Sequence, residues 1–186
     1  MKRIIAVFLL LTFTFVACKQ SDVMQTDSYV SGGIQANSIY ADFLDILKKS
    51  QTNLYYYIKD IDGNCVDDLI ILENTKLSVY SYENSVELIG ELDFFTGTIR
   101  FFCSESNNYP GIFCFTVGGG ANHYGYMTIK NKAISFETLW DENYSNNQPD
   151  DISYITETSS NKELISESKK LYDKNQDIKF TPLNSD

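Results

Sequence analysis

From residue 53 onward the apolar positions of this chain recur with a period of two. LYYYIKDI, DLIILE, KLSVYSY, VELIGEL, TIRFFCS, GIFCFTV, HYGYMTIK and AISFETLW are short runs rich in Ile, Val, Tyr and Phe. Side chains of that kind suit a pleated, half-buried surface, and a period of two is the strand period. Polar or glycine-bearing pieces such as ENTK, YENS and SNNYPG separate the runs. Most of these connectors are too short for a crossover helix, so the strands join as antiparallel hairpins. At either end the period changes. Residues 38–49 read as a helix whose face carries Ile39, Phe43, Ile46 and Leu47, with Asn37 as cap and Lys48-Lys49 at the negative end of its dipole. After Trp140 the chain turns polar (DENYSNNQPDD), and 161–174 reads as a second helix with Leu164, Ile165, Ser168, Leu171 and Tyr172 facing inward. The pattern predicts a single mainly β (α+β) domain over 37–186. It is an antiparallel β-meander of seven to eight strands with one N-terminal and one C-terminal helix.

Residues 1–18, MKRIIAVFLLLTFTFVAC, place Lys2 and Arg3 ahead of an apolar stretch that ends in Ala17-Cys18. The stretch is too short for a bilayer span with its flanks and reads as an export signal. A cysteine directly after a small residue at the cleavage point resembles the lipobox of bacterial lipoproteins, although Phe15 stands where leucine is usual. The resemblance implies a signal peptide over 1–17 and a diacylated Cys18 as the mature N-terminus. It also implies a protein anchored in the cell-envelope membrane. An ordinary cleaved signal, or an N-terminal anchor helix, is the alternative. Residues 18–36, polar and carrying Gly32-Gly33, read as a flexible tether.

Charge narrows the partners. Lys and Arg number 15 against 25 Asp and Glu, a net charge of −10, and loss of Lys2 and Arg3 with the leader takes it to −12. With no basic block, the chain is a poor nucleic-acid binder. Anionic headgroups would repel it, so acyl chains must hold it at a membrane. Divalent cations and cationic partners suit it.

One stretch concentrates that charge. DIDGNCVDDLII (residues 60–71) sets oxygen-bearing side chains at loop positions 1, 3, 5 and 9: Asp60, Asp62, Asn64 and Asp68. Val66, at position 7, can add its backbone carbonyl. Calcium wants about six to eight oxygens at roughly 2.3–2.6 Å, and a tight loop with alternating inward side chains delivers them. The loop runs straight into an apolar strand, D-x-D-G-N-x-x-D-D-L, and so resembles the calcium loops of FG-GAP (integrin α-type, VCBS-like) repeats. An EF-hand would carry a glutamate at position 12, where this chain has Ile71. YYYIKDIDGNCVDDLIILENTKLSVYSYENSVELIGEL is also similar to a group of uncharacterised secreted bacterial domains, from which no activity carries over. Cys65 stands where such loops carry glycine, because the backbone there often takes a positive φ. A side chain in that conformation costs about 1–2 kcal/mol. A metal-free Asx-rich turn of the same shape is the competing reading; calcium leads.

The remaining candidates are structural in character. Cys103 and Cys114 flank a strong turn signal, Asn107-Asn108-Tyr109-Pro110-Gly111, and symmetric pairing about it would let them form a cross-strand disulfide; buried free thiols are the alternative. His123, the one histidine, has no nucleophile elbow nearby and reads as structural. Gly118-Gly119-Gly120 precede a strand rather than a helix, which suits a bend rather than a phosphate cradle. Asp141-Glu142 and Asp150-Asp151 read as solvated loop charge. Aromatic residues are abundant, with Tyr55, Tyr56 and Tyr57 in a row, and strand alternation sends half of them inward.

Three functions compete. The first is a non-catalytic, calcium-stabilised binding or adhesion module displayed on the cell envelope, with a protein or glycan ligand. The second is an inhibitor or immunity-type lipoprotein that binds a cationic protein. The third, a hydrolase, needs a nucleophile, base and oxyanion donors that the sequence does not cluster. The first is favoured.

Overall fold

The computed structural model of the chain describes residues 33–50, 53–94, 98–118, 120–144 and 152–183. The leader, Cys18 and the tether up to residue 32 lie outside them, as do Gly119 and Asp150-Asp151. Helix α1 (Gly33–Ser50) precedes eight strands joined in succession. They are β1 (Leu54–Lys59), β2 (Asp68–Glu73), β3 (Lys76–Tyr82), β4 (Val86–Asp93), β5 (Thr98–Cys103), β6 (Ile112–Gly118), β7 (Ala121–Lys130) and β8 (Ala133–Tyr144). After them come β9 (Ile152–Glu157), α2 (Lys162–Lys174) and the two-residue β10 (Thr181–Pro182).

The strands form two antiparallel sheets of five rather than one meander of seven or eight. The first has the order β10-β1-β2-β3-β4 and the second β5-β6-β7-β8-β9. Each is a hairpin chain in itself, and β10 returns after α2 to pair Tyr55 with Pro182 and Tyr56 with Thr181.

Alternation sorts each strand's side chains between two cores. On β2, Leu69 and Ile71 pack with Tyr40 and Leu44 of α1, while Ile70 meets the second sheet. On β6, Ile112 and Cys114 face the first sheet, and Phe113 and Phe115 face α2. The layers therefore run α1, first sheet, second sheet, α2. Because both sheets are covered on both faces, runs such as LIIL and IFCF are apolar without a break, as strands with no solvated face must be.

The inward face of α2 is the one its sequence announces: Leu164, Ile165, Ser168 and Leu171 are buried. Asn161 caps it by accepting the Leu164 N–H at 3.1 Å. Asn175 ends it in the left-handed conformation, φ 54°. The face of α1 differs from expectation. Tyr40 and Leu44 are its buried residues, Phe43 and Leu47 are partly buried, and Ile39 and Ile46 point to solvent. The helix also begins at Gly33, so Asn37 is interior rather than a cap, and Gly33–Ala36 belong to the helix rather than the tether.

Candidate metal centre

Pairing of Lys59 with Asp68 closes a hairpin whose loop is residues 60–67, and that register decides which acids meet. The Asp60 N–H donates to Asp67 Oδ1 at 3.0 Å, and the Ile61 N–H donates to Asp68 Oδ2 at 3.1 Å. Three anchors hold the loop down, two of them from elsewhere. Tyr40 of α1 donates its hydroxyl to the Asp67 carbonyl at 2.8 Å, and Thr128 of β7 donates to the Ile61 carbonyl at 2.6 Å. The Ile61 side chain is fully buried between the sheets.

Inside the loop each acid or amide accepts from backbone further along. Asp60 Oδ1 takes the Gly63 N–H at 2.7 Å, and its Oδ2 takes the Cys65 N–H at 2.8 Å. Asp62 Oδ1 takes the Asn64 N–H at 3.0 Å, and Asn64 Oδ1 takes the Val66 N–H at 2.6 Å. To turn this tightly the backbone adopts φ 80° at Gly63 and φ 70° at Cys65. The position where glycine is expected thus does take a positive φ, and this chain meets it with a side chain.

These bonds alone would describe an Asx-rich turn. The carboxylates do something more: oxygens of Asp60, Asp62 and Asp68 lie within 4.8 Å of one another. Asp68 is fully buried, and its Oδ1 has no hydrogen-bond partner. Ser81 lies near that carboxylate and favours its charged form, yet not in bonding geometry with Oδ1. Burial pushes the Asp68 carboxyl up to about 6, with the charges of Asp62 and Asp60 adding to the rise. Desolvation likewise raises Asp62, with Asp60 contributing. A buried acceptor left bare costs about 1–3 kcal/mol, more when charged. Crowding of this kind favours a proton or a cation on the cluster.

Of the residues expected here, Asp60, Asp62 and Asp68 converge. Asn64 sits beside them, donating Nδ2 to Asp62 Oδ2 at 3.1 Å, and Val66 follows it in the turn. Asp67, Tyr40 and Thr128 also build the site. Asp67 had a visible signal, as one more acid in the same run. Tyr40 and Thr128 act from distant elements and had none.

Elsewhere the candidates are placed as follows. Cys103 and Cys114 do lie on neighbouring strands, but two residues out of symmetric register: Cys103 pairs with Ile112 and Cys114 with Phe101. Of the two alternatives it is the free thiols that are found, with no bridge between them. Burial raises both above the usual thiol range, Cys114 more strongly, which makes them poor nucleophiles. His123 bonds Asp141 Oδ1 through Nδ1 at 2.9 Å and the Gly118 carbonyl through Nε2 at 3.2 Å. Asp141-Glu142 belong to β8 rather than to a solvated loop, and Glu142 accepts from the Tyr124 hydroxyl at 2.8 Å and from Asn122 at 2.9 Å. Tyr124 stacks on Trp140 inside the core against α2. Among the described residues no helix is long and apolar enough to cross a membrane. No family model matches the chain, and no curated protein matches it.

Proposed function

We propose that loop 60–68 holds a calcium ion and that the domain is a non-catalytic, calcium-stabilised binding module, carried on the cell envelope by acyl chains at Cys18. What carries the metal reading is Asp68: a fully buried carboxylate with a bare Oδ1, in a cluster with Asp60 and Asp62. An Asx turn explains every other bond of the loop but leaves that oxygen unexplained. Asp60, Asp62 and Asp68 supply the carboxylates; Asn64 Oδ1, the Val66 carbonyl and water make up the number that calcium requires. The all-oxygen donor set disfavours zinc and copper, which favour nitrogen or sulfur. The envelope location rests on the leader and its lipobox-like cysteine.

The ion would then contribute to folding as well as to binding. Extracellular calcium modules have Kd values of about 0.1–1 mM. At about 1 mM free calcium this adds roughly 0.4–1.4 kcal/mol of stability by mass action. Thermal melts of the full-length protein in calcium and in chelator test it: Tm should rise with calcium, and Asp62→Ala should abolish the rise. An identical Tm in both would make the loop a polar turn.

A further inference from the structure

Beside the metal loop lies a pocket of about 100 Å³ that three segments share. Asp62 lines it from the loop, Glu83 and Glu87 from the β3–β4 hairpin, and Asn131 and Lys132 from the β7–β8 turn. Ile89 of β4 and Ile129 of β7 give it an apolar wall. Three acids thus meet one base. Lys132 Nζ lies 2.7 Å from Glu83 Oε1 and 2.8 Å from its Oε2, so those two charges cancel. Asp62 and Glu87 have no ion-pair partner among the described residues. Burial holds the Asp62 carboxyl above the ordinary aspartate range, and a cation beside it would relieve that. Calcium on the loop does not reverse the sign of the pocket. A dication on Asp60, Asp62 and Asp68 leaves one of their three negative charges uncancelled, and Glu87 adds its own.

We propose that the pocket takes a lysine side chain of a basic partner protein, with the ammonium among Asp62, Glu87 and Asn131 and the methylene stem along Ile89 and Ile129. This names the partner of the binding module proposed above and holds with or without calcium in the loop. Charge repels an anion from the pocket and draws a cation into it. The chain's net charge of −10 acts in the same direction from farther away, steering a basic partner toward the surface. The apolar wall adds a second demand. A small inorganic cation gains nothing from Ile89 and Ile129, whereas lysine lays its stem on apolar surface and keeps its charged head on polar groups. Lysine also suits the acceptors better than arginine. They come from three separate segments, which the three rotatable donors of an ammonium can reach. A guanidinium seeks a carboxylate free for a planar two-point contact. Glu83 is occupied by Lys132, and Glu87 Oε1 already accepts from the Ser85 hydroxyl at 3.3 Å.

The test is titration of the full-length protein, in a non-ionic detergent, with N-acetyl-lysine methylamide, followed by backbone amide shifts in calcium and in chelator. The lysine derivative should shift Ile89, Glu87 and Asn131 in both, binding more weakly in calcium, and salt should weaken it further. Its Nε-acetylated form keeps the stem, loses the charge and should shift none of them; equal binding of the two forms would overturn the proposal. Methylammonium keeps the charge, loses the stem and should bind several-fold more weakly. Equal binding of methylammonium, or tighter binding of the arginine derivative, would overturn the assignment to lysine. Glu87→Gln should weaken binding about two- to fivefold, as loss of an exposed ion pair does. Glu91→Gln removes a charge from the same strand outside the pocket and should leave binding unchanged. Equal weakening by both substitutions would make the effect one of net charge and overturn the site. If no amide shifts at tens of millimolar in either condition, the lysine site falls and the calcium reading stands on its own Tm response. Shifts without any response of Tm to calcium would sink the calcium reading and keep the lysine site.

Discussion

Asp68 and Cys65 show how much a single position carries. In calcium-free protein the folded state holds Asp68 protonated up to about pH 6, while an unfolded aspartate releases its proton near 3.8. Between those values the native state binds more protons than the unfolded chain, so this group makes stability fall as pH rises from about 4 to about 6. A shift of about two units corresponds to about 3 kcal/mol at most. The groups facing it are the carboxylates of Asp60 and Asp62, the Ile61 N–H, and the hydroxyls of Ser81 and of Tyr40 from α1. Asp68→Asn removes the charge and keeps an acceptor for the Ile61 N–H. In chelator the variant should therefore be more stable than wild type near neutral pH, with the advantage vanishing near pH 4, as urea unfolding at the two pH values would show. In calcium the order should reverse, because the variant lacks a metal ligand. A variant no more stable than wild type in neutral chelator would mean that the buried charge is compensated in some other way. Cys65 was legible in the sequence as the residue out of place, and its φ of 70° is the strain that the loop pattern implies. The bare Oδ1 of Asp68 was not legible: it depends on how β2 is buried beneath α1 and the loop, and no spacing of aspartates reports that.

At the scale of elements, strands and helices were legible where one physical signal acted alone. The eight runs from Leu54 to Trp140 all form strands, since β-branched and aromatic residues between turn residues have few other solutions. β9 lies behind a polar stretch at a sheet edge, and its described side chains, Tyr154 to Glu157, are exposed and mark no buried face; β10 is two residues long. The division into two sheets was hidden because alternation is the same whichever neighbour a strand pairs with. For α1, Ile39 and Ile46 outrank tyrosine by hydrophobicity, yet Tyr40 takes the buried face, where its hydroxyl reaches the Asp67 carbonyl. α2 offered no such competition. Its Ser168 is buried because it accepts the Trp140 indole N–H at 3.1 Å, a polar pair closed within an apolar layer. Two truncations separate these faces. Leu164→Ala, in the core between α2 and the second sheet, should cost about 2–5 kcal/mol. Ile46→Ala, at a residue 62% exposed, should stay within about 0.5 kcal/mol of wild type. Chemical denaturation of both variants checks the assignment, and a large loss at Ile46 would restore the face expected from the pattern.

Over the whole molecule, two helix-covered sheets form a framework of four layers, and the loop sits where the first sheet, the second sheet and α1 all reach it, through Asp68, Thr128 and Tyr40. The loop is thus anchored on its buried side and open on the other, as the proposed binding module requires. The proposed attachment to a membrane is a separate question, and charge constrains it. The net charge is −10 over the whole chain and −12 under the proposed loss of Lys2 and Arg3 with the leader, and neither gives an anionic surface any attraction of its own. The proposed membrane residence therefore rests on lipid, and two acyl chains suffice where one gives only marginal binding. Cys18, after Ala17 and an apolar run, is the residue positioned to carry them. Metabolic labelling with a fatty acid should mark the wild-type protein, and Cys18→Ser should abolish the label. Fractionation gives a second readout with a definite sign. Anchoring by acyl chains resists high salt, whereas charge-mediated attachment is screened within about 10 Å at 0.1 M and released. Wild-type protein should stay in the membrane pellet through a salt wash. Unchanged labelling in Cys18→Ser, or release of the wild type by salt, would remove the lipid anchor and leave the binding domain without its address.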